Sequence, residues 1–450
     1  MGVGICVGFD FLLDWGNILL YMKRIGFIIA GDFVAFWLTL LTILYVRYGE
    51  TNHDIIIKHF GPFMILYIVW ALIFYLFDLY DIYKIKPTIP YLRQFGLAII
   101  VSFVFGILMF YLIPSFGISP KANLLFQAVG FSIFSFLIRR SFYSISAYQI
   151  TRPAILIGDH QYLDNLNKTI SENPQIGLKI IHYSSNLEES LLKWKDIKKA
   201  VFVIDTNTEN LNSLLLNDIR KNKNDILDIS EAYEKYLFRI PVDYVSESWI
   251  IENINGKRDL VYKIISRLVE ILFAVIGLII LSPVILIIAM FIFIEDKGPV
   301  FYTQKRVGLD DKEFNIIKLR SMRVNAEENG ARWTTENDNR ITKVGKVIRK
   351  LHIDEIPQMI NIIKGELALF GPRPERPEFV SALIKEIPHY RIRQIIKPGF
   401  TGWAQIKYRY ANSVLSSKEK FEYDLYYIKN RNIFMDFGIF VRTVQIIFKH

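Results

Sequence analysis

Hydrophobic and polar positions follow three different periods along this chain, and the changes of period mark its domains. Residues 25–46 are apolar apart from one acid, Asp32, and carry no small-residue cleavage site, so they are expected to span a membrane rather than be removed as a signal. Three further apolar runs, near 61–80, 94–113 and 123–138, complete a four-helix transmembrane region over residues 22–150. The pattern then shortens. From Pro153, β-rich runs at 154–157, 179–183, 201–204 and 226–229 alternate with helix-like ones, which predicts a small Rossmann-like α/β domain over 151–250 with a parallel sheet. Residues 242–255 read as a linker.

A fifth apolar run behaves differently. Residues 271–294 are 24 consecutive uncharged positions, about 36 Å as a straight helix and long enough to cross a bilayer. Ser282-Pro283 sits at the middle, where proline removes a backbone donor and favours a break, and the Ser282 hydroxyl can bond the carbonyl that Pro283 frees. Lys257, Arg258, Lys263 and Arg267 precede the run, and Lys297, Lys305 and Arg306 follow it. Positive charge at both ends predicts a re-entrant membrane hairpin over 265–294 that enters and leaves by the cytoplasmic face. The same rule places Lys23, Arg24, Lys84, Lys86, Arg93, Arg139, Arg140 and Arg152 on the cytoplasmic side of the four spans. The expected location is a bacterial inner membrane, with residues 257–450 facing the cytoplasm. Met22-Lys23-Arg24 is a natural start for such a protein, which leaves residues 1–21 without a role.

Composition agrees with a membrane protein, since 52% hydrophobic and 14% aromatic residues exceed the soluble average. The net charge of +10 is uneven: residues 257–450 carry 32 Lys and Arg against 21 Asp and Glu, or +11, leaving −1 for the rest. Beside apolar runs, such a basic domain suits anionic lipid and phosphorylated substrates, and no nucleic acid is expected. Cys6 is the lone cysteine, so no intramolecular disulfide can form. The seven histidines form no HExxH pair and read as solvated or structural. Gly158 follows the first predicted strand, but Asp159, His160, Gln161 and Tyr162 replace a GxGxxG loop, which disfavours dinucleotide binding; Asp205 reads as a loop or cap residue. No DxD string occurs, and the nearest approach, Glu336-Asn337-Asp338, reads as a solvated loop, which disfavours a processive glycosyltransferase.

Chemistry concentrates in four stretches: KLRSM at 318–322, HIDEIPQ at 352–358, GELALFGPRPERPEF at 365–379 and KPGFTGWAQ at 397–405. Asp354 and Glu355 lie just before Pro357, and Ile353, Ile356, Ile360 and Ile363 recur at helical spacing, which predicts an acid pair at a helix N-terminus with one buried face. A carboxylate there can attack phosphorus and split one difficult transfer into two, and an adjacent pair also suits Mg²⁺ on a diphosphate. Lys318, Arg320, Arg349 and Arg373 can meet the phosphates; Lys318 and Arg320 would face one side of a strand, and Pro372 and Pro374 restrict the backbone around Arg373. Gly399, Thr401 and Gln405 could line a nucleotide site.

With Ser282-Pro283 and FEYDLYYI at 421–428, these stretches resemble the bacterial sugar transferase family, the monotopic polyprenyl-phosphate phosphoglycosyl transferases, over about residues 260–450. The four-span region and degenerate α/β unit resemble the long form, tied to initiating exopolysaccharide, capsule or O-antigen repeat units. The resemblance implies a mainly helical catalytic domain over 257–450 that moves a sugar 1-phosphate from a UDP-sugar to undecaprenyl phosphate and releases UMP. It makes Asp354 the covalent nucleophile, with Glu355 assisting through metal or proton transfer. It is compatible with a homo-oligomer and with other polysaccharide-assembly proteins as partners. The chain departs from the family's frequent Arg and Ser/Thr at Lys397 and His352, which touches substrate detail rather than the acid pair. The alternative, a non-catalytic scaffold or regulator of polysaccharide assembly, predicts a decayed acid pair.

Overall fold

A computed structural model describes residues 10–49, 53–81, 84–86, 88–113, 121–148, 151–205, 213–254, 260–324, 326, 338–408 and 413–448. Cys6, Lys257, Arg258, Glu336 and Asn337 lie outside them. The chain divides into two compact units, Met1–Asp228 and Ile229–His450.

The first unit opens with α1 (Asp10–Tyr48), α2 (His53–Leu76), α3 (Ile89–Leu112) and α4 (Lys121–Tyr148). Each holds a segment long and apolar enough to cross a membrane, as does one helix of the second unit, giving five among the described residues. An aromatic core including Phe36, Phe63, Trp70, Phe74 and Phe131 packs them. The fourth run was expected to stop at 138, with Arg139 as a flanking charge. It does not. The helix continues, and Arg139 is buried in the bundle, where Nη1 and Nη2 donate to Asp32 Oδ1 and Oδ2 at 2.6 and 2.8 Å. Ser135 Oγ donates to the same Asp32 Oδ1 at 2.7 Å, and Phe74, Tyr80 and Phe95 ring the guanidinium at 5.2–5.8 Å. Arg139 therefore answers the one acid of the apolar run 25–46 and is a partner inside the bundle rather than a flanking charge.

The rest of this unit is a parallel four-stranded sheet. Its elements are β1 (Arg152–Ile157), α5 (Gln161–Glu172), β2 (Leu178–Ser184), α6 (Leu187–Trp194), β3 (Val201–Ile204), α7 (Ser213–Lys221) and β4 (Asp225–Asp228), with strand order β2-β1-β3-β4. The central β1 and β3 are buried almost throughout, as expected for strands covered on both faces. Gly158 lies at φ 140°, and a Cβ there would stand 2.6 Å from Asp205 Cβ, so the buried Asp205 closes the end of β1 where a phosphate loop would need open backbone.

The second unit begins with α8 (Ile229–Leu237) and α9 (Glu247–Asn253). The expected linker at 242–255 is instead built into the core across its first half, because Ile240, Val242 and Val245 are apolar and bury against Phe421, Leu425 and Tyr427. Backbone bonds agree: Ile240 N donates to Glu422 O at 3.1 Å. The unit's long helix, α10 (Leu260–Asp296), runs through Pro283 without a non-helical interruption, where a helix-break-helix was expected. The Ser282 hydroxyl donates to Ile279 O at 2.8 Å, taking the acceptor that the missing Pro283 amide would have used. Then follow β5 (Phe301–Val307), β6 (Glu313–Leu319), α11 (Lys343–Lys350), a 3₁₀ segment Ile353–Gln358, α12 (Met359–Lys364), β7 (Ala368–Phe370) and α13 (Pro377–Glu386). A second 3₁₀ segment Tyr390–Ile395, β8 (Gly399–Thr401), α14 (Trp403–Lys407), α15 (Val414–Asn430) and α16 (Ile433–Phe448) complete it. β5 and β6 are antiparallel; β7 and β8 are parallel.

Candidate active site

The acid pair sits between two helices whose outer ends are tied to α10 by charges of the appropriate sign. At the start of α11, Glu295 accepts from Lys343 N and Val344 N at 2.7 and 3.2 Å. At the end of α12, Arg267 donates to Ile362 O and Ile363 O at 2.8 and 2.9 Å. An anion at a helix N-terminus and a cation at a C-terminus both complement the helix dipole. Between them, His352 turns the chain in the left-handed region at φ 54°, and Ile353–Gln358 forms the 3₁₀ segment. The acids were expected in the first turn of an α-helix. The structure puts them in this tighter turn, with α12 starting only at Met359.

Asn361, fully buried, brings the opposing strand into register. Its Oδ1 accepts from Ile317 N at 3.0 Å and its Nδ2 donates to Asn315 O at 2.8 Å, so a side-chain amide pairs with the edge of β6 as a neighbouring strand would. Lys318, the next residue, then reaches Glu355 Oε1 at 2.7 Å. Arg373 Nη2 reaches the same oxygen, also at 2.7 Å. Two cations thus share one carboxylate oxygen. Asp354, 8% exposed, makes no side-chain hydrogen bond or ion pair among the described residues.

This asymmetry separates the two acids. Burial opposes ionisation of Glu355, but the charges and hydrogen bonds of Arg373 and Lys318 hold its carboxyl well below the usual range. Burial and then the neighbouring Glu355 charge push Asp354 up, and Lys318, Arg349 and Arg373 only partly offset them. Burial lowers Lys318 against the pull of Glu355. The outcome is a clamped acid beside an unclamped one.

Of the expected site residues, the structure brings Lys318 and Arg373 to the acid pair and leaves half-buried Arg349 within electrostatic reach of Asp354. Arg320 goes elsewhere: β6 ends at Leu319, and Arg320 pairs with Asp296 at the end of α10. Gly399, Thr401 and Gln405 underlie the Arg373 loop. A Cβ on Gly399 would fall 2.0 Å from Gly371 N, so only glycine lets the two backbones meet, and Gly399 N donates to Pro372 O at 2.9 Å. Thr401 Oγ1 bonds Thr443 Oγ1 at 2.7 Å, and Gln405 Nε2 donates to Phe400 O at 3.3 Å. Asp338, from the stretch read as a solvated loop, is paired with Arg340.

Asn361 and Arg393, whose Nη2 donates to Arg373 O at 2.9 Å, escaped the sequence reading. A polar residue among Ile360, Ile362 and Ile363 signals a buried partner for Asn361, but nothing along the chain says that the partner is a strand edge. For Mg²⁺ the acid pair offers the Asp354 carboxylate and the second oxygen of Glu355, whereas Glu355 Oε1 already accepts from Lys318 and Arg373. Among the described residues no cluster of three or more His, Cys, Asp or Glu side chains could hold an ion. A bound Mg²⁺ would therefore draw its other ligands from substrate phosphate and water, its usual habit.

Comparison with known proteins identifies the family. The family described as bacterial sugar transferase matches residues 261–450. The chain is 40% identical over 222 residues to a UDP-N-acetylgalactosamine-undecaprenyl-phosphate N-acetylgalactosaminephosphotransferase of Aeromonas hydrophila, a match covering 49% of this chain and 52% of that protein. It is 46% identical over 132 residues to a putative undecaprenyl-phosphate N-acetylgalactosaminyl 1-phosphate transferase of Bacillus subtilis, covering 29% of this chain and 74% of the relative. It is 37% identical over 186 residues to a UDP-glucose:undecaprenyl-phosphate glucose-1-phosphate transferase of Escherichia coli, covering 41% of this chain and 40% of that protein. The chain thus spans about half the length of the Aeromonas relative and less of the Escherichia one. With residues 261–450 matched to the family and 74% of the Bacillus relative's length covered at 46% identity, the chain belongs to the bacterial sugar transferase family.

Proposed function

We propose that this chain transfers a sugar 1-phosphate from a UDP-sugar to undecaprenyl phosphate, with Asp354 as nucleophile. The observation that carries the proposal is the buried Asp354 carboxylate, which no described side chain bonds, beside a Glu355 that Lys318 and Arg373 hold ionised. An Asp354 oxygen attacks the sugar-linked phosphorus, the bond from that phosphorus to the bridging oxygen breaks, and UMP leaves with the bridging oxygen. A phosphate oxygen of undecaprenyl phosphate then attacks the same phosphorus, giving undecaprenyl diphospho-sugar and freeing Asp354. Lys318 and Arg373 supply positive charge to the transferring phosphate, and Arg373 offers it a fork of donors. Mg²⁺, held by Asp354, would neutralise diphosphate charge. The product would initiate a polysaccharide repeat unit, and the named relatives point to an N-acetylgalactosamine or glucose donor for the first trials.

The acceptor is a lipid, and α10 supports a site at headgroup depth. The helix is 37 residues, about 55 Å long, and its contacts with the catalytic core recur from Arg267 through Ala274 and Ile292 to Asp296. A full bilayer crossing would drag that core into hydrocarbon. The opposite face exposes Leu268, Leu272, Ile279, Ile280, Leu286 and Ile287. A membrane-lying helix with both ends on the cytoplasmic side of an inner membrane accommodates both faces. Cysteines placed near Lys263 and Lys305 on a Cys6-free background should be labelled only from the cytoplasm; labelling of either from outside contradicts this placement. The activity is tested by incubating purified protein with Mg²⁺, undecaprenyl phosphate and a panel of UDP-sugars. UMP release with at least one sugar is expected, and none from folded protein across a broad panel overturns the reading.

A further inference from the structure

A second buried polar cluster lies behind the acid pair and takes no part in the chemistry just described. The loop Gly371-Pro372-Arg373-Pro374-Glu375 has no amide hydrogen at its two prolines, and each proline biases the residue before it towards extended backbone. The loop must be held largely by its carbonyls, and four in succession are. Gly399 N donates to Pro372 O at 2.9 Å and Val307 N to Glu375 O at 3.0 Å. Arg306 Nη1 donates to Pro374 O at 3.1 Å and Arg393 Nη2 to Arg373 O at 2.9 Å.

Arg393 is the donor whose side chain fixes the residue that carries the active-site guanidinium. It is 5% exposed, and its remaining bonds fix its own position: Nε donates to Asp424 Oδ2 at 2.8 Å and Nη1 to Tyr390 Oη at 2.6 Å. A fully committed, buried fork thus holds the Arg373 carbonyl while the Arg373 side chain reaches Glu355.

We propose that Arg393 is a positioning residue for the transfer reaction: locked by Asp424 and Tyr390, it fixes the backbone of Arg373 and so the meeting of Arg373 with Glu355 beside Asp354. The proposal rests on the function argued above and goes beyond it. Lysine at 393 can still pair with Asp424, but one ammonium cannot serve three acceptors in fork geometry. The Arg373 backbone would then drift, and a misplacement of about 1 Å near a reacting centre costs on the order of 10²-fold in rate.

The test is a double-mutant cycle on UMP release, with hydrogen exchange as a second reading. Arg393→Lys should lower kcat/KM by about 10²-fold, with a thermal midpoint near that of the wild type. In an Arg373→Lys background the same change should cost little more, because the group it positions is already altered. Arg391→Lys, at an exposed neighbouring position, should behave as wild type. Exchange at the Gly399 and Val307 amides, which donate to Pro372 O and Glu375 O, should be faster in Arg393→Lys. Should that variant fail to fold, Tyr390→Phe, which removes one acceptor of Arg393, should show the same non-additivity with a smaller loss. Losses that multiply in the double variant, or unchanged exchange at the Gly399 and Val307 amides, would overturn the proposal. If the wild-type chain itself releases no UMP, the functional reading fails while the exchange arm still decides whether Arg393 holds the loop.

Discussion

Two buried charge clusters in this molecule follow opposite designs. Between α1 and α4, one cation meets one anion: Arg139 grips both oxygens of Asp32, Ser135 supports it, and aromatic rings close round the guanidinium. At the acid pair Lys318 and Arg373 both bond one oxygen of Glu355, Arg349 lies within electrostatic reach of Asp354, and no described side chain bonds the Asp354 carboxylate. The first arrangement engages both oxygens of its acid, although the buried Arg139 Nε has no hydrogen-bond partner among the described residues. The second commits Lys318 and Arg373 to one acid and leaves the other buried and destabilised as an anion. A paired carboxylate suits a structural joint, and a buried carboxylate without such a partner suits the nucleophile proposed for Asp354.

The largest effect that would break this comparison is on activity. Asp354→Asn keeps size and removes charge and nucleophilicity, and should lower turnover by more than the ~10² to 10⁴ typical of losing a general acid or base. It should also raise the thermal midpoint. The sign follows from burial: the carboxyl titrates higher in the folded chain than in the unfolded one, so stability is lost as pH rises from the unfolded value through the folded one, and the neutral amide avoids that loss. A lowered midpoint would mean that Asp354 is a paired structural acid after all.

At the other cluster the effect should fall on stability. Asp32→Asn leaves Arg139 uncompensated and should cost about 3–5 kcal/mol, read from denaturant unfolding in detergent. Asp32→Leu with Arg139→Met, which removes both partners, should be close to neutral. A double variant as unstable as the single one would show that the pair does more than satisfy itself.

The smallest effect sharpens the comparison inside the active site. Glu355→Gln removes the neighbouring negative charge that raises Asp354 and frees Lys318 and Arg373 to lower it further. The rate should fall, and the acid limb of the pH profile should move to lower pH. A limb that stays in place or moves up would mean that Glu355 does not set the ionisation of Asp354.

The sequence carried the elements that local chemistry determines, and was silent where a partner lies far along the chain. The four apolar runs, the strands near 154, 179, 201 and 226, and the acid pair flanked by isoleucines were all readable from periodicity. Ser282 was legible as the partner of a carbonyl freed by Pro283 because that relation spans four residues. Arg139 was misread as a flanking charge because its partner, Asp32, is 107 residues away. Arg320 was misplaced because strand alternation predicts a side but not the end of a strand. The same limit hid Asn361 and Arg393, whose roles exist only once β6, Asp424 and the Arg373 loop are assembled around them.

The account turns on whether Asp354 itself takes the phosphosugar. Wild-type protein incubated with a UDP-sugar radiolabelled in its sugar-linked phosphate, without undecaprenyl phosphate, should carry label through denaturation and release it when the lipid phosphate is added before denaturation. Asp354→Asn, folded and membrane-inserted, should carry none. Label retained on that variant would place the nucleophile elsewhere and reduce Asp354 to a metal ligand, contradicting the account.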